Sequence, residues 1–421
     1  MKKLACLIII FACFFCRIAL AEEISLTIDE AINMALRDNR DILLKAEDVN
    51  KSKAAIREAR ADLYPSLTLS GTWSRNNGYY SKDFSSSSYQ VGAKQYLYKG
   101  GETVNTIKYN EHLLNVNQAV LDKTKLDIVL SVKKSFYTLL LANQYAEINK
   151  SILKNTRSHL EYLGARYEKG LASHSEILWI KSSLESVKQA YENSLNQIES
   201  SRALLNNYLY LNKDVEIIPE GELSYTEEEI VFDQGLLYAL GKRPEIRQYD
   251  SQIKASEKSV DIAKSGNRPS VYASWDYYNR THSAAGTGKN QSDNNIMGIT
   301  FSWPIFDGWA AKSKIEQAMV DLKSARLLKE KAVSDIALDF RNAYISLKNA
   351  IVKIDATESD LRVYNDNLKS AREKFKQGIV SSLDLDDAAL KYSISRFNRD
   401  NSIYDYIVAK SSLDKAMGGL Q

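Results

Sequence analysis

Two aspartates near the C-terminal end of the chain, Asp384 and Asp387, have the spacing most suggestive of chemistry. They are three residues apart, so in a helix both side chains lie on one face. Clustered carboxylates attract cations and repel anions. The alternative interpretation is an ordinary solvated acidic face, with Asp386 as its third member.

The sequence offers no convincing catalytic or metal-binding group. The four histidines, His112, His159, His174 and His282, have no ligand spacing such as H-x-x-x-H, and we interpret each as solvated helix or loop surface. No glycine-rich phosphate loop precedes a Lys-Ser or Lys-Thr pair. We therefore predict a protein that is not an enzyme and has no catalytic residue, metal or cofactor.

The helices and turns that must position the aspartates belong to an internal repeat, because the sequence contains two similar copies of the same motifs. Three landmarks recur in the same order, 204 or 208 positions later: Leu63-Tyr-Pro-Ser-Leu67 as Asn267-Arg-Pro-Ser-Val271, Leu97-Tyr-Lys-Gly100 as Ile305-Phe-Asp-Gly308, and Arg166-Tyr-Glu-Lys-Gly170 as Lys374-Phe-Lys-Gln-Gly378. Repeated units that are too thin to bury a face alone indicate a wall or tube rather than a globule.

Each copy is predicted to contain a helix, a β-hairpin, a long helix, a turn and a further helix, so the fold is mainly α with a β contribution. The N-terminal helix of each copy should be continuous, to about Leu63 and over about 233–265. The predicted organisation is a first repeat at 22–211 (hairpin about 66–98, long helix about 102–168, turn at Gly170), a linker at 212–231, and a second repeat at 232–421 (hairpin about 270–305, long helix about 309–376, turn at Gly378).

The hairpin segments alternate apolar and polar residues. In the first strand Leu67, Leu69 and Trp73 point one way while serines and threonines point the other, and loops are expected at about 79–88 and 281–295. An apolar face with an aromatic end and a hydroxyl-rich face is typical of strands in a membrane barrel. A half-buried antiparallel sheet in a soluble domain would give the same alternation.

The N-terminal residues and the composition indicate that the protein is exported and which partners it lacks. Lys2 and Lys3 precede an apolar run, and Ala19-Leu-Ala21 fits a cleavage site, so residues 1–21 are predicted to be a signal peptide. All three cysteines lie inside that segment, which leaves none in the mature chain. The net charge of +3 and the lack of a basic cluster argue against nucleic acid as a partner.

Four strands cannot close a membrane barrel, because the smallest ones use eight and an unpaired edge has no water partners in lipid. Several chains are therefore expected to share one barrel. A single layer of helices about 100 Å long, as roughly 65 residues imply, likewise has no closed core.

These features resemble the TolC-like outer-membrane efflux proteins over essentially the whole mature chain. The matching motifs are the opening Leu26-Thr-Ile-Asp-Glu-Ala-Ile, the Tyr-Pro-Ser-Leu junction around Pro65 and the Trp303-Pro-Ile-Phe-Asp-Gly junction. Both glycine turns match as well, and the helix–strand junction residues are Pro65, Gly100, Pro269, Pro304 and Gly308. The resemblance implies a homotrimer with a 12-stranded outer-membrane β-barrel continuous with a periplasmic α-helical barrel.

The resemblance also implies a function and partners. Members pass drugs or proteins outward through the outer membrane and its lipid, together with an inner-membrane transporter and a periplasmic adaptor protein. Asp384 and Asp387 match the aspartate pair at the tunnel entrance, so three chains would place six carboxylates there. A multivalent cation bound to that ring would plug the pore.

The turns at the inner end are the second candidate site. Tyr167 and Gly170, with Phe375 and Gly378, match the gate and the surface that meets the adaptor. The glycines would also be explained simply as left-handed helix ends. Phe375 and Val380 replace a tyrosine and an arginine that help to lock the closed state in the family. Closure here must therefore use packing or other pairs, for which Arg372 and Lys374 are candidates.

The principal alternative function is a periplasmic coiled-coil scaffold or adaptor protein of the cell envelope. An adaptor would carry one helical hairpin beside β-rich domains, whereas this sequence predicts two long hairpins and amphipathic strands with Trp and Tyr. These features favour the channel.

Overall fold

A computed structural model describes residues 23–77, 84–212, 215–226, 231–284 and 288–419. The predicted signal peptide lies outside this range. The helices and strands, numbered in chain order, are β1 (Glu23–Leu26), α1 (Ile28–Asp38), α2 (Arg40–Ala61), β2 (Ser66–Asn76), β3 (Phe84–Lys99), α3 (Glu102–Glu168), α4 (His174–Leu209), β4 (Glu216–Pro219), α5 (Phe232–Lys242), α6 (Pro244–Ser265), β5 (Ser270–Ala284), β6 (Gly288–Ser302), α7 (Ala310–Lys376) and α8 (Ser382–Met417).

The chain divides into two compact units, and α3 and α7 contribute residues to both. The first unit comprises Met1–Leu43, Lys125–Ala239 and Leu338–Gln421, and the second comprises Leu44–Thr124 and Leu240–Ala337. Each unit therefore combines segments from both sequence repeats.

In the first unit, the described part of the chain begins with a strand that the sequence pattern does not predict. β1 pairs in parallel with β4, from Glu23 opposite Glu216 to Leu26 opposite Pro219. The segment 212–231 was expected to be a linker, but four of its residues form β4 because their backbone groups bond to β1. Thr27 then caps α1 through a reciprocal capping box with Glu30.

The expectation of one continuous N-terminal helix in each repeat is wrong. In the first unit α1 ends at Asp38, and Asn39 follows as its C-cap residue. The buried Asn39 side chain donates to the carbonyl of Tyr208 at 2.9 Å and accepts from the amide of Asp41 at 2.9 Å. These bonds favour a new helix start over continuation of the old one.

In the second unit the corresponding break falls at Arg243, 204 residues later. Pro244 occupies the first position of α6, where its missing N–H costs nothing. The buried guanidinium of Arg243 binds the carboxylate of Glu245 at 2.7 Å. Different side chains therefore stabilise the same break in the two repeats.

The core of the first unit joins the long helices to the final helix through apolar and hydroxyl contacts. The rings of Phe232 and Phe340 lie 5.4 Å apart, centre to centre. Tyr404 of α8 shares a hydrogen bond of 2.9 Å with Thr138 of α3, and Ser402 shares one of 2.8 Å with Thr357 of α7. The largest fully buried apolar side chains are Val132, Phe136, Leu139, Leu205, Leu209, Ile217, Phe340, Ile354, Ile403 and Leu413.

The second unit contains a four-stranded antiparallel sheet in the order β2-β3-β5-β6. The two hairpins meet where β3 pairs with β5, for example at Ala93 opposite Trp275. Strand pairing continues from Phe84 and up to Ala284, so the loops predicted at 79–88 and 281–295 are shorter than expected. Backbone ladders need no apolar side chain, which explains why Ser-rich and Asn-rich segments can extend strands.

The two faces of this sheet differ in chemistry. Leu67, Leu69 and Trp73 are each more than 70% exposed. By contrast, the amide of Gln90 donates to Asp276 at 2.9 Å, in a polar network on the sheet. One wide apolar face is thus left without a partner within the described chain.

α7 carries apolar residues at seven-residue steps on two faces. In the second unit its buried face consists of alanines, namely Ala311, Ala318, Ala325 and Ala332. In the first unit its exposed face includes Leu338, Ile345 and Val352, which are 56%, 48% and 64% exposed. A seven-residue apolar step is the signature of helices that pack side by side, so the second face needs a partner.

Candidate functional site at the two helix turns

The two predicted turns adopt the same backbone structure in the first unit. Gly170 and Gly378 have φ of +71° and +72°. The amide of Leu171 donates to the carbonyl of Arg166 at 2.8 Å, and the amide of Ile379 donates to the carbonyl of Lys374 at 2.9 Å. Both turns are therefore left-handed helix ends of the Schellman type.

Each turn is followed by a capping box that starts the next helix. Ser173 and Glu176 form the box of α4, and Ser381 and Asp384 form that of α8. The Asp384 carboxylate accepts from the Ser381 hydroxyl at 2.7 Å and from its amide at 3.0 Å. These hydrogen bonds lower the pKa of Asp384, with the hydroxyl contributing most.

Asp387 lies one turn further along α8 and is exposed. Its carboxylate forms an ion pair with the ammonium of Lys391 at 2.7 Å. That hydrogen bond raises the pKa of Lys391. Asp384 and Asp387 thus share a helix face as predicted from their spacing, but each already has a local partner.

Asp386, interpreted only as a third member of an acidic face, has the closest contact to another helix. Its Oδ2 contacts Nδ1 of His159 on α3. Neither of these two atoms has a further hydrogen-bond partner in the described structure. Burial raises the pKa of Asp386, and the contact with His159 opposes this shift in part.

The prediction that His159 is solvated surface is wrong, because only 6% of the residue is exposed. It lies on the face of α3 that also carries Ile152 and Leu163, so its imidazole points towards the neighbouring helices. His174 is exposed and His112 is half-buried, while the side chain of His282 lies outside the described residues.

A cavity of about 460 Å³ brings the three aspartates together with His159. Apolar side chains from three helices form most of its remaining wall, including Ile152 of α3, Trp179 of α4 and Leu390 of α8. A space of this size between helices is a departure from close packing.

The remaining residues of the predicted turn site differ in exposure. Tyr167 is 45% exposed, and its ring lies 6.0 Å from that of His174. Phe375 and Val380 are half-buried. The structure therefore leaves the first turn's tyrosine accessible to a partner and half-buries the second turn's phenylalanine.

The predicted junction residues lie in the second unit. Pro65 and Pro269 immediately precede β2 and β5, and Pro304 follows β6. Gly100 and Gly308 have φ of +62° and +68°. A Cβ on Gly100 would lie 2.8 Å from the carbonyl oxygen of Ser265, so this glycine is required by both space and conformation.

In the described residues, no three or more His, Cys, Asp or Glu side chains are grouped so that they could hold a metal ion. None of the described helices combines the length and the apolar character needed to cross a bilayer.

Comparison with known proteins assigns these features to one family. The profile of the outer membrane efflux protein family matches residues 31–209 and 237–419. Outer membrane protein TolC of Escherichia coli (strain K12) is 20% identical over 410 residues, which cover 93% of this chain and 82% of that protein. Protein CyaE of Bordetella pertussis is 23% identical over 333 residues, covering 78% of this chain and 70% of that protein.

Solved structures agree with this fold. The Campylobacter jejuni CmeC outer membrane channel superposes with a TM-score of 0.79 at 16% identity, covering 93% of this chain and 85% of the other. CusC superposes with a TM-score of 0.75 at 18% identity, covering 93% and 92%. At such identities the similarity establishes the arrangement of helices and strands.

Proposed function

This chain belongs to the outer membrane efflux protein family, and on that premise we propose that it is one subunit of an outer-membrane exit duct. The duct carries small molecules or proteins outward as a gated, passive conduit and catalyses no reaction. It extends from the outer membrane into the periplasm and opens at its periplasmic end. The observation that carries this proposal is the family match, which spans both repeats.

The sheet of the second unit supports assembly into a trimer. Its order places β2 and β6 at the two edges, each paired on one side within the described chain. A sheet edge in lipid leaves N–H and C=O groups unbonded, so spanning sheets close into barrels. Three copies supply twelve strands, and the exposed face with Leu67, Leu69 and Trp73 meets lipid.

Membership of this family also supports two protein partners for the channel. We propose that a periplasmic adaptor protein contacts the turns around Gly170 and Gly378, where Tyr167 offers an exposed ring. An inner-membrane transporter supplies the energy. Around a threefold axis the Asp384 and Asp387 side chains form the acidic ring at the periplasmic entrance.

The test is single-channel conductance of the purified protein in planar bilayers. Wild type is compared with Asp384→Asn/Asp387→Asn, which keeps the size of both side chains, with and without a trivalent cation. Asp366→Asn is the matched control, because the pair that Asp366 forms within the described residues is a local one, with Lys369 on α7.

We expect small, cation-selective wild-type pores that a trivalent cation blocks, and a double variant that loses both properties while the control keeps them. Pores that the double variant leaves unchanged would refute the ring. A folded, detergent-extracted oligomer that forms no pore would refute the channel.

A further inference from the structure

The start of α8 is held to the rest of the first unit much more weakly than the start of α4. In α4, Ile177 and Ile180 are buried within the first two turns and pack with Leu163 of α3 in an apolar cluster. In α8, no described side chain before Ser395 is buried. The α3–α4 hairpin and the α7–α8 hairpin are therefore stabilised by different contacts at this end.

Local bonds cannot hold the start of α8 to its neighbours. The Ser381–Asp384 and Asp387–Lys391 contacts each join residues of the same segment. Apart from Asp386, the described residues of α8 before Ser395 make no hydrogen bond or ion pair to another helix. Among the described side chains, the contact between Asp386 and His159 is thus the one polar link from this segment to α3.

The cavity beside the His159–Asp386 contact and the burial of His159 both increase the contribution of this contact to holding α8 in place. The adjoining cavity of about 460 Å³ lies between apolar side chains of α3, α4 and α8, and dispersion contact is lost across it. The side chain of His159 is only 4% exposed, so loss of Asp386 would leave a buried polar group without a partner. The same space gives the start of α8 room to move when the link breaks.

We propose that the His159–Asp386 contact is the latch of the gate: it holds the start of α8 against α3 in the closed state, and its release allows the α7–α8 turn to move outward. This proposal rests on the proposed channel function. It assigns the control of opening to a pair that joins the two hairpins of one chain, separate from the acidic ring of Asp384 and Asp387.

The first test distinguishes an effect of the pair on the local stability of α8 from an effect on channel opening. Hydrogen–deuterium exchange at residues 383–394 is measured for wild type, His159→Gln, Asp386→Asn and the double variant, together with the open fraction in planar bilayers. His174→Gln is the control, because this exposed histidine lies on the same hairpin and pairs with no carboxylate of the described residues; its ring lies near that of Tyr167.

Each single variant should accelerate exchange in 383–394 and raise the open fraction at least about fivefold, at the lower end of typical coupling between two states. The double variant should resemble the single ones, because one interaction is lost in all three. His174→Gln should match wild type in both measurements.

A second test restores the link by other means. The mature chain contains no cysteine, so His159→Cys/Asp386→Cys presents one defined pair of thiols. Bridging it with a short, reducible bifunctional thiol reagent should return the open fraction to the wild-type value, and reduction should raise it again. This comparison within one variant removes any effect of the substitutions on folding.

The outcomes are distinct. Faster exchange with an unchanged open fraction would make the pair a structural contact and overturn the latch. Unchanged exchange and unchanged open fraction would overturn it as well. Wild-type protein that forms no pore would instead refute the channel function on which the latch depends.

Discussion

At the scale of single residues, the carboxylate of Asp384 is oriented by its own helix cap. It accepts two hydrogen bonds from Ser381, and these stabilise the ionised form. Because its pKa in the folded state is lowered, the contribution of Asp384 to stability is present above its unfolded pKa and is lost as the pH falls through the folded one.

Ser381→Ala should therefore raise the pKa of Asp384 towards the usual value of an aspartate. The variant also loses the hydrogen bond from the Asp384 amide to the Ser381 hydroxyl at every pH, so the stability lost should be greatest above the unfolded pKa and should fall to the cost of that cap bond at low pH. An NMR titration of the Asp384 side-chain carboxyl checks the first point, and acid unfolding checks the second. Ser393→Ala is the control, because that hydroxyl lines the same cavity but donates to the carbonyl of Ala389. An equal pKa shift in the control would contradict the prediction.

His159 illustrates what a spacing argument misses at this scale. A search for metal-ligand spacing correctly finds no pattern in the sequence, yet it cannot see that a single imidazole faces a carboxylate 227 residues away. A signal was present, because His159 follows Ile152 by seven residues and precedes Leu163 by four, which places it on an apolar helix face. Its partner depends on the tertiary packing of α3 and α8.

At the scale of elements, the left-handed turns make a prediction with an internal control. Gly378 and Gly164 both have open space where a Cβ would lie, but only Gly378 has a positive φ. Gly378→Ala should lower the free energy of unfolding by about 1–2 kcal/mol, the cost of the left-handed conformation for a residue with a Cβ. Gly164→Ala should raise it by about 0.5–1 kcal/mol, since this glycine lies inside α3.

Reversible denaturant unfolding of the two variants measures both changes. Effects of the same sign would contradict the argument, because space is open at both positions and backbone conformation is the difference between them. The extent of reversibility is checked by refolding from full denaturation before the free energies are compared.

The sequence predicts the long helices well and the breaks between the shorter ones poorly. α3 and α7 run for 67 residues each without proline, and the glycine turns that follow them define their C-terminal ends. The break at Asn39 depends on a buried amide bonded to Tyr208, and β4 depends on pairing with β1. Both depend on contacts between residues far apart in the sequence, and local periodicity does not predict such contacts. Leu43 shows the consequence: it follows Leu36 by seven residues, a step typical of one helix face, yet it is 38% exposed while Ile42 is buried.

At the scale of the whole molecule, the exposed apolar face of α7 argues for assembly. Leu338, Ile345 and Val352 follow one another at seven-residue steps in the first unit, and each is about half exposed or more. A stripe of this kind on a long helix is stable in water when a second helix covers it. We propose that, in a trimer, a helix of the adjacent subunit covers this stripe.

Ile345→Glu/Val352→Glu should therefore weaken the oligomer while it leaves the helical content of the protein unchanged. Two carboxylates placed in an apolar helix interface lose hydration without gaining partners, and this cost would be repeated at each interface of the proposed trimer. Light scattering in detergent measures the mass of the assembly, and circular dichroism measures the helix content. Ile345→Leu/Val352→Leu is the matched control and should remain oligomeric, because it preserves the apolar stripe. An oligomer of unchanged mass in the glutamate variant would place the subunit contacts on another face of the helices, and α7 would then need a different partner for its second apolar stripe.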